Sequence, residues 1–152
     1  MKVDLIGTNN GVMKFTKEGG LAVLIVNKTG AATVKGTLVE PSPSTASAFA
    51  VSGTSAFDPI GVVYDSGIDD GQKAWMVILG IADVLMQDDN GVSLEDFMQG
   101  SVTQAGRAYS PGSIPDGQSF AAVNNHFREI GHSLQAIEAG TNKLCRILMH
   151  FN

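Results

Sequence analysis

Few residues in this 152-residue chain are of a type and spacing to do chemistry. Gly131-His132-Ser133-Leu134-Gln135 comes within one residue of the G-x-S-x-G nucleophile elbow. The closing glycine of that elbow permits the sharp strand-to-helix turn that exposes the serine. Gln135 stands in its place, and no βαβ pattern surrounds the segment. The three histidines, His126, His132 and His150, do not follow a metal-binding spacing such as H-E-x-x-H on one helix face. Set on strands, they read as surface or hydrogen-bonded histidines. Asp88-Asp89-Asn90-Gly91 resembles the start of a calcium loop but lacks the alternate acids, the sixth-position glycine and the twelfth-position glutamate. It reads as a turn. Lys35-Gly36-Thr37 does not keep the Gly-Lys-Thr order of a phosphate-binding loop. Cys145, within the apolar LCRILMHF, reads as an inert buried thiol. Trp75 alternates with Val77 and Leu79, which suits core packing better than a sugar-binding platform. The residues therefore point to no catalytic group, no cofactor site and no metal ligand, and to a protein that is not an enzyme.

The elements that would carry these residues read as strands and turns. Residues 21–27, LAVLIVN, form a continuous apolar and β-branched run, as in a strand buried on both faces. Residues 33–39, TVKGTLV, predict a second strand, and the two prolines of 40–44 predict a loop. Residues 48–51, 60–64 and 74–79 read as further strands, with Asp69-Asp70-Gly71 as a turn. Residues 93–100 are the best helix candidate: Ser93 can cap, acids fill the first turn, and Gly100 can end it. Residues 110–118 hold two prolines and two glycines and predict a loop. Phe127, Ile130, Leu134 and Ile137 fall at helical spacing, although Gly131 weakens a helix there.

A shift of 70 residues favours a strand instead. It sets Gly36 on Gly106, Ile60-Gly61 on Ile130-Gly131, Lys73 on Lys143, and Val77-Ile78-Leu79 on Ile147-Leu148-Met149. Two related β units, about 36–80 and 106–150, would follow, each too small to bury a core alone and so sharing one sandwich or barrel.

Composition narrows the class further. Charged residues make up 16%, against about 25% in an average soluble domain. One cysteine excludes an internal disulfide. The net charge of −5 argues against nucleic acid as the main partner. The longest apolar stretch, residues 74–86, is 13 residues long with Asp83 inside it, too short to span a bilayer as a helix. The first residues lack a signal-peptide pattern, so synthesis in the cytoplasm is expected. Charge is uneven: residues 1–35 carry five lysines against two acids, and residues 58–96 carry nine acids against one lysine. The two segments attract, either within one molecule or between the N-terminal segment and a neighbouring copy.

Several stretches resemble the capsid decoration (cement) proteins of tailed bacteriophages. They are Gly19-Gly20-Leu21-Ala22-Val23; Val34-Lys35-Gly36-Thr37-Leu38-Val39; Pro59-Ile60-Gly61-Val62-Val63-Tyr64; and residues 71–82, GQKAWMVILGIA. Ala105-Gly106-Arg107-Ala108, residues 129–134 and the closing 144–151 add to the likeness. The resemblance implies a mainly β protein, a compact β-sandwich or β-barrel that is β-tulip-like, here with one short helix and an extended N-terminal arm. The arm is residues 1–18 and the β-rich domain 19–152. It implies a structural virion protein without cofactors that binds the major capsid protein on the outer head surface, commonly as a homotrimer, and stabilises the mature head. No catalytic residue is implied. Val12, Met13, Lys14, Phe15 and Lys17 are the candidate contacts to capsid or neighbouring subunits, because apolar side chains among polar ones suit an arm ordered by a partner. A head fibre or tail component, or a carbohydrate-binding β module, are the alternative readings.

Overall fold

The computed structural model describes residues 12–54, 59–112 and 128–150. They form ten strands: β1 (Met13–Phe15), β2 (Gly20–Asn27), β3 (Leu38–Pro41), β4 (Ala48–Val51), β5 (Gly61–Val63), β6 (Lys73–Leu85), β7 (Phe97–Gly100), β8 (Ala108–Tyr109), β9 (Glu129–Ser133) and β10 (Leu144–Met149). Among the described residues there is no helix.

The pairings close into rings. β2 pairs with β4, β4 with β3, β3 with β5, β5 with β6, and β6 returns to β2, a barrel-like circuit of five strands. The thirteen-residue β6 runs on past this circuit. Its C-terminal half pairs with β10, β10 with β9, β9 with β7 and β7 with β8. A parallel bridge from Met86 to Ala108 closes this second circuit next to β6.

The second circuit repeats much of the pairing of the first. Leu38 and Phe97, 59 positions apart, pair with Val62 and His132, 70 positions apart. The Asn27–Phe49 parallel pair recurs as Met86–Ala108. The Gly36 N–H donates to the Val63 carbonyl at 2.8 Å, and the Glu95 N–H to the Ser133 carbonyl at 3.2 Å. Val63 N–H to Thr37 recurs as Ser133 N–H to Asp96, and Tyr64 N–H to Trp75 as Leu134 N–H to Arg146. Positive φ recurs in step, at Gly30 and Asp89, Gly36 and Glu95, Ser47 and Gly106, Gly71 and Asn142. A uniform 70-residue shift thus fits the β5 and β9 strands, while Glu95, not Gly106, occupies the place of Gly36. The additional length falls between β8 and β9.

Burial explains why several strands read as continuous apolar runs. Val39, Phe49, Val63, Ala74 and Met76 form one core cluster. Their strand neighbours Leu38, Val62 and Val77 face the other way, into a cluster with Ala22, Val84, Met98, Ile130, Ile147 and Met149. Successive side chains therefore enter different cores, and both faces of the strand are apolar.

Several sequence expectations need correction. Residues 93–100 are not a helix. The Ser93 N–H donates to the Asp96 carboxylate at 2.9 Å, as a cap would, but Glu95 has a φ of 65° and the chain turns into β7. Two turns of helix are unstable alone, and pairing with β9 buries Phe97 and Met98 completely. The strand expected at 33–39 begins only at Leu38, because Gly36 has a φ of 87° that breaks extended backbone. It also runs through Pro41, expected as loop, which pairs opposite Phe49. The strand expected at 74–79 continues to Leu85. The strand reading of 130–137 is seen in part: β9 ends at Ser133, and Ile137 forms only an isolated bridge with Val92. The loop expectation for 110–118 and His126 fall wholly or mainly outside the described residues.

Gly36 lies where the two circuits touch. A Cβ built on it would meet the Leu144 side chain at 2.5 Å and the Leu85 amide at 2.7 Å, whereas Gly30, with a similar φ, has open space around it. Gly36→Ala is expected to destabilise the fold by about 3 kcal/mol or more, and Gly30→Ala by about 1 kcal/mol. Urea denaturation of the two variants checks the difference.

Candidate interaction surface

The residues expected as contacts divide between two faces of β1. This strand lies antiparallel to β2, with Lys14 opposite Ala22 and Phe15 opposite Leu21. Alternation along the strand sends Lys14 one way and Met13 and Phe15 the other. The Lys14 ammonium lies 4.7 Å from the centre of the Tyr64 ring and 4.4 Å from that of Trp75. It therefore joins the chain's own structure by cation–π attraction. Val12, Met13 and Phe15 are exposed, Phe15 to 65%. Lys17 is exposed and reaches Glu18 at 3.9 Å.

The backbone of β1 presents an edge as well. The Val12 carbonyl accepts from the Leu24 N–H at 2.8 Å, and the Thr16 N–H donates to the Gly20 carbonyl at 2.8 Å. Strand geometry then turns the backbone groups of Met13 and Phe15 away from β2. A strand edge flanked by exposed apolar side chains is a template for pairing with another chain. Residues 1–11 of the expected arm lie outside the described residues.

The basic and acidic segments meet within the molecule. Lys28 contacts Asp70 at 3.0 Å, and Lys35 contacts Asp83 at 3.0 Å and Glu18 at 3.5 Å. The Arg146 Nε–H donates to Asp83 at 3.0 Å from across β10. Burial alone would raise the Asp83 carboxyl, but hydrogen bonds from Lys35 and Arg146 and their charges hold it below its ordinary range. Burial likewise opposes the ionised Glu18, and its own backbone N–H, Tyr64 and Lys35 outweigh it. The Lys35 ammonium is raised despite burial, mainly by Asp83.

The groups weighed as catalytic are engaged structurally. The Ser133 hydroxyl, almost wholly buried, donates to the Ser93 carbonyl at 2.5 Å. Asp88 accepts from the Asn142 N–H at 2.9 Å and from Arg107 at 3.0 Å, so the Asp88–Gly91 segment is a braced turn. Trp75 lies beneath Lys14 and packs against the core. Cys145 is buried, and burial pushes its thiol up to about 11.

One cluster was not legible from spacing: Glu129, His132 and His150 come together at one end of β9. The Nε2 atoms of His132 and His150 lie 2.9 and 3.2 Å from the same Glu129 Oε1. In a regular strand, residues three apart face opposite sides. Here Gln99 pairs with Glu129 and Met98 with Gly131, leaving Ile130 as an extra residue in β9. The bulge reverses the alternation and puts Glu129 and His132 on one face. The His150 N–H donates to the Ile130 carbonyl at 3.1 Å, which brings the third member alongside.

No protein-family model matches the chain, and no curated protein matches it. Among solved structures, the chain is similar to the head fibre gp8.5 N base of bacteriophage phi29. The TM-score is 0.56 at 13% identity, over 85% of this chain and 94% of that one. At this identity the likeness establishes a shared fold.

Two outcomes test the electrostatics. Asp83 has a folded value below its unfolded one, so its contribution is present above about pH 4 and is lost as pH falls through the folded value. Asp83→Asn is expected to narrow the difference between urea midpoints at pH 7 and pH 3. The Cys145 thiol is expected to resist a disulfide-exchange reagent at pH 8 in the folded protein and to react promptly in urea, as absorbance reads.

Proposed function

We infer that the chain is a structural protein of a tailed-phage virion, placed on the outside of the head. The observation that carries this reading is the fold shared with a phage head fibre base over most of both chains. The edge of β1, unpaired among the described residues and carrying exposed Val12, Met13 and Phe15, supports it, since an assembly protein needs a surface for its neighbours. The working form is a homotrimer that binds the major capsid protein and reinforces the mature shell, either as a decoration protein or as the base of a head fibre. The fold likeness favours these head roles over a tail component. The structural engagement of Ser133 and Cys145 supports a non-catalytic role, and the cover of Lys14 over Trp75 disfavours a sugar platform.

The purified protein is expected to have a solution mass three times 15.9 kDa by light scattering. It is expected to co-sediment with expanded capsids but not with immature ones. The double substitution Met13→Glu, Phe15→Glu is expected to lower capsid occupancy at least about tenfold while leaving the circular dichroism unchanged. A monomer that ignores both capsid forms would sink this reading.

A further inference from the structure

We propose that Glu129, His132 and His150 form a binding site for a divalent transition-metal ion of the zinc class. One ligand atom from each residue lies within 4.8 Å of the other two. A tetrahedral zinc ion with bonds of about 2.0–2.1 Å holds its ligand atoms about 3.4 Å apart. The two nitrogen–oxygen separations, 2.9 and 3.2 Å, already approach that size, so a cation enters with small outward movements of exposed imidazoles. Two imidazoles and one carboxylate suit zinc, cobalt, nickel or copper, and not calcium or magnesium, which take oxygen.

The surroundings hold the ligands in place. Glu129 is buried and fixed in β9, while His132 and His150 keep their outer edges exposed, which gives the ion an entry path. Phe97 meets the His132 ring edge-on, with centroids 6.3 Å apart and planes at 80°. Ile130 fixes the backbone of His150. Each imidazole that now directs Nε2 at Glu129 would carry its proton on Nδ1 and offer the Nε2 lone pair to the ion. Three protein ligands leave a fourth position for water or for a group from another molecule. The bound ion would tie the segment after β10 to the bulge of β9. This inference rests on the cluster alone and is independent of the virion reading.

The test uses the full chain stripped with chelator. Zinc chloride titrated calorimetrically is expected to bind at one ion per chain and to raise the thermal midpoint, and magnesium is expected to do neither. Cobalt is expected to give the visible absorption of a four-coordinate site. His132→Asn and His150→Asn, the first exposed and the second half-buried, are each expected to weaken zinc at least about tenfold while keeping the metal-free thermal midpoint close to the parent's. Glu129→Gln should act likewise, although its buried position makes it the less decisive variant. Absence of binding at millimolar zinc, or binding that survives both histidine substitutions, would overturn the proposal.

Discussion

β6 serves two circuits at once. Its first half must satisfy β2 and β5, and its second half must satisfy β10, within one strand of thirteen residues bulged at Ile78. Because side chains alternate with a period of two, a slip of one residue would turn every β6 side chain to the wrong face in both circuits together. The register of β6 is therefore defended by both cores: Ala74 and Met76 belong to one cluster, and Val77, Ala82 and Val84 to the other. The remaining strands take their places from it, including β1, which hydrogen-bonds to β2 and lays Lys14 over Trp75 of β6.

The repeated scaffold also shows where side-chain chemistry is free to vary. Leu24 faces Trp75 across the β2–β6 pair, and the equivalent β6–β10 pair sets Asp83 against Arg146. An apolar contact in one half is an ion pair in the other, at the same place in the ladder. Asp83, which interrupts an otherwise apolar run, thus gathers Lys35 from the loop before β3 and Arg146 from β10. Part of the attraction between the basic and acidic segments is consumed in this way inside the chain. The apolar residues exposed on β1 owe nothing to it.

The sequence was legible where burial on both faces produced unbroken apolar runs, as in β2, β4 and the start of β6. It misled where local chemistry and tertiary pairing disagreed. Ser93 and Asp96 do make a helix-like cap, but Phe97 and Met98 have nowhere to bury except in a strand beside β9. The division of the β1 residues was open to reading, since alternation alone separates Lys14 from Met13 and Phe15. The Glu129, His132 and His150 cluster was not. Its members share a face only because of an extra residue in β9, and bulges leave little trace in spacing; Gly131 beside it, at a φ of 143°, is the one local sign. The fold comparison added a likeness of architecture that 13% identity hides from sequence alone.

The succession of equivalent hydrogen bonds describes a repeat whose two copies share one strand. A simple tandem duplication leaves two complete copies joined by a linker, and either can be lost without unravelling the other. Here the copies overlap: the segment that opens the second is the continuation of the strand that closes the first. Cutting the chain between the copies means cutting through β6, which takes from each part an edge that the other supplies.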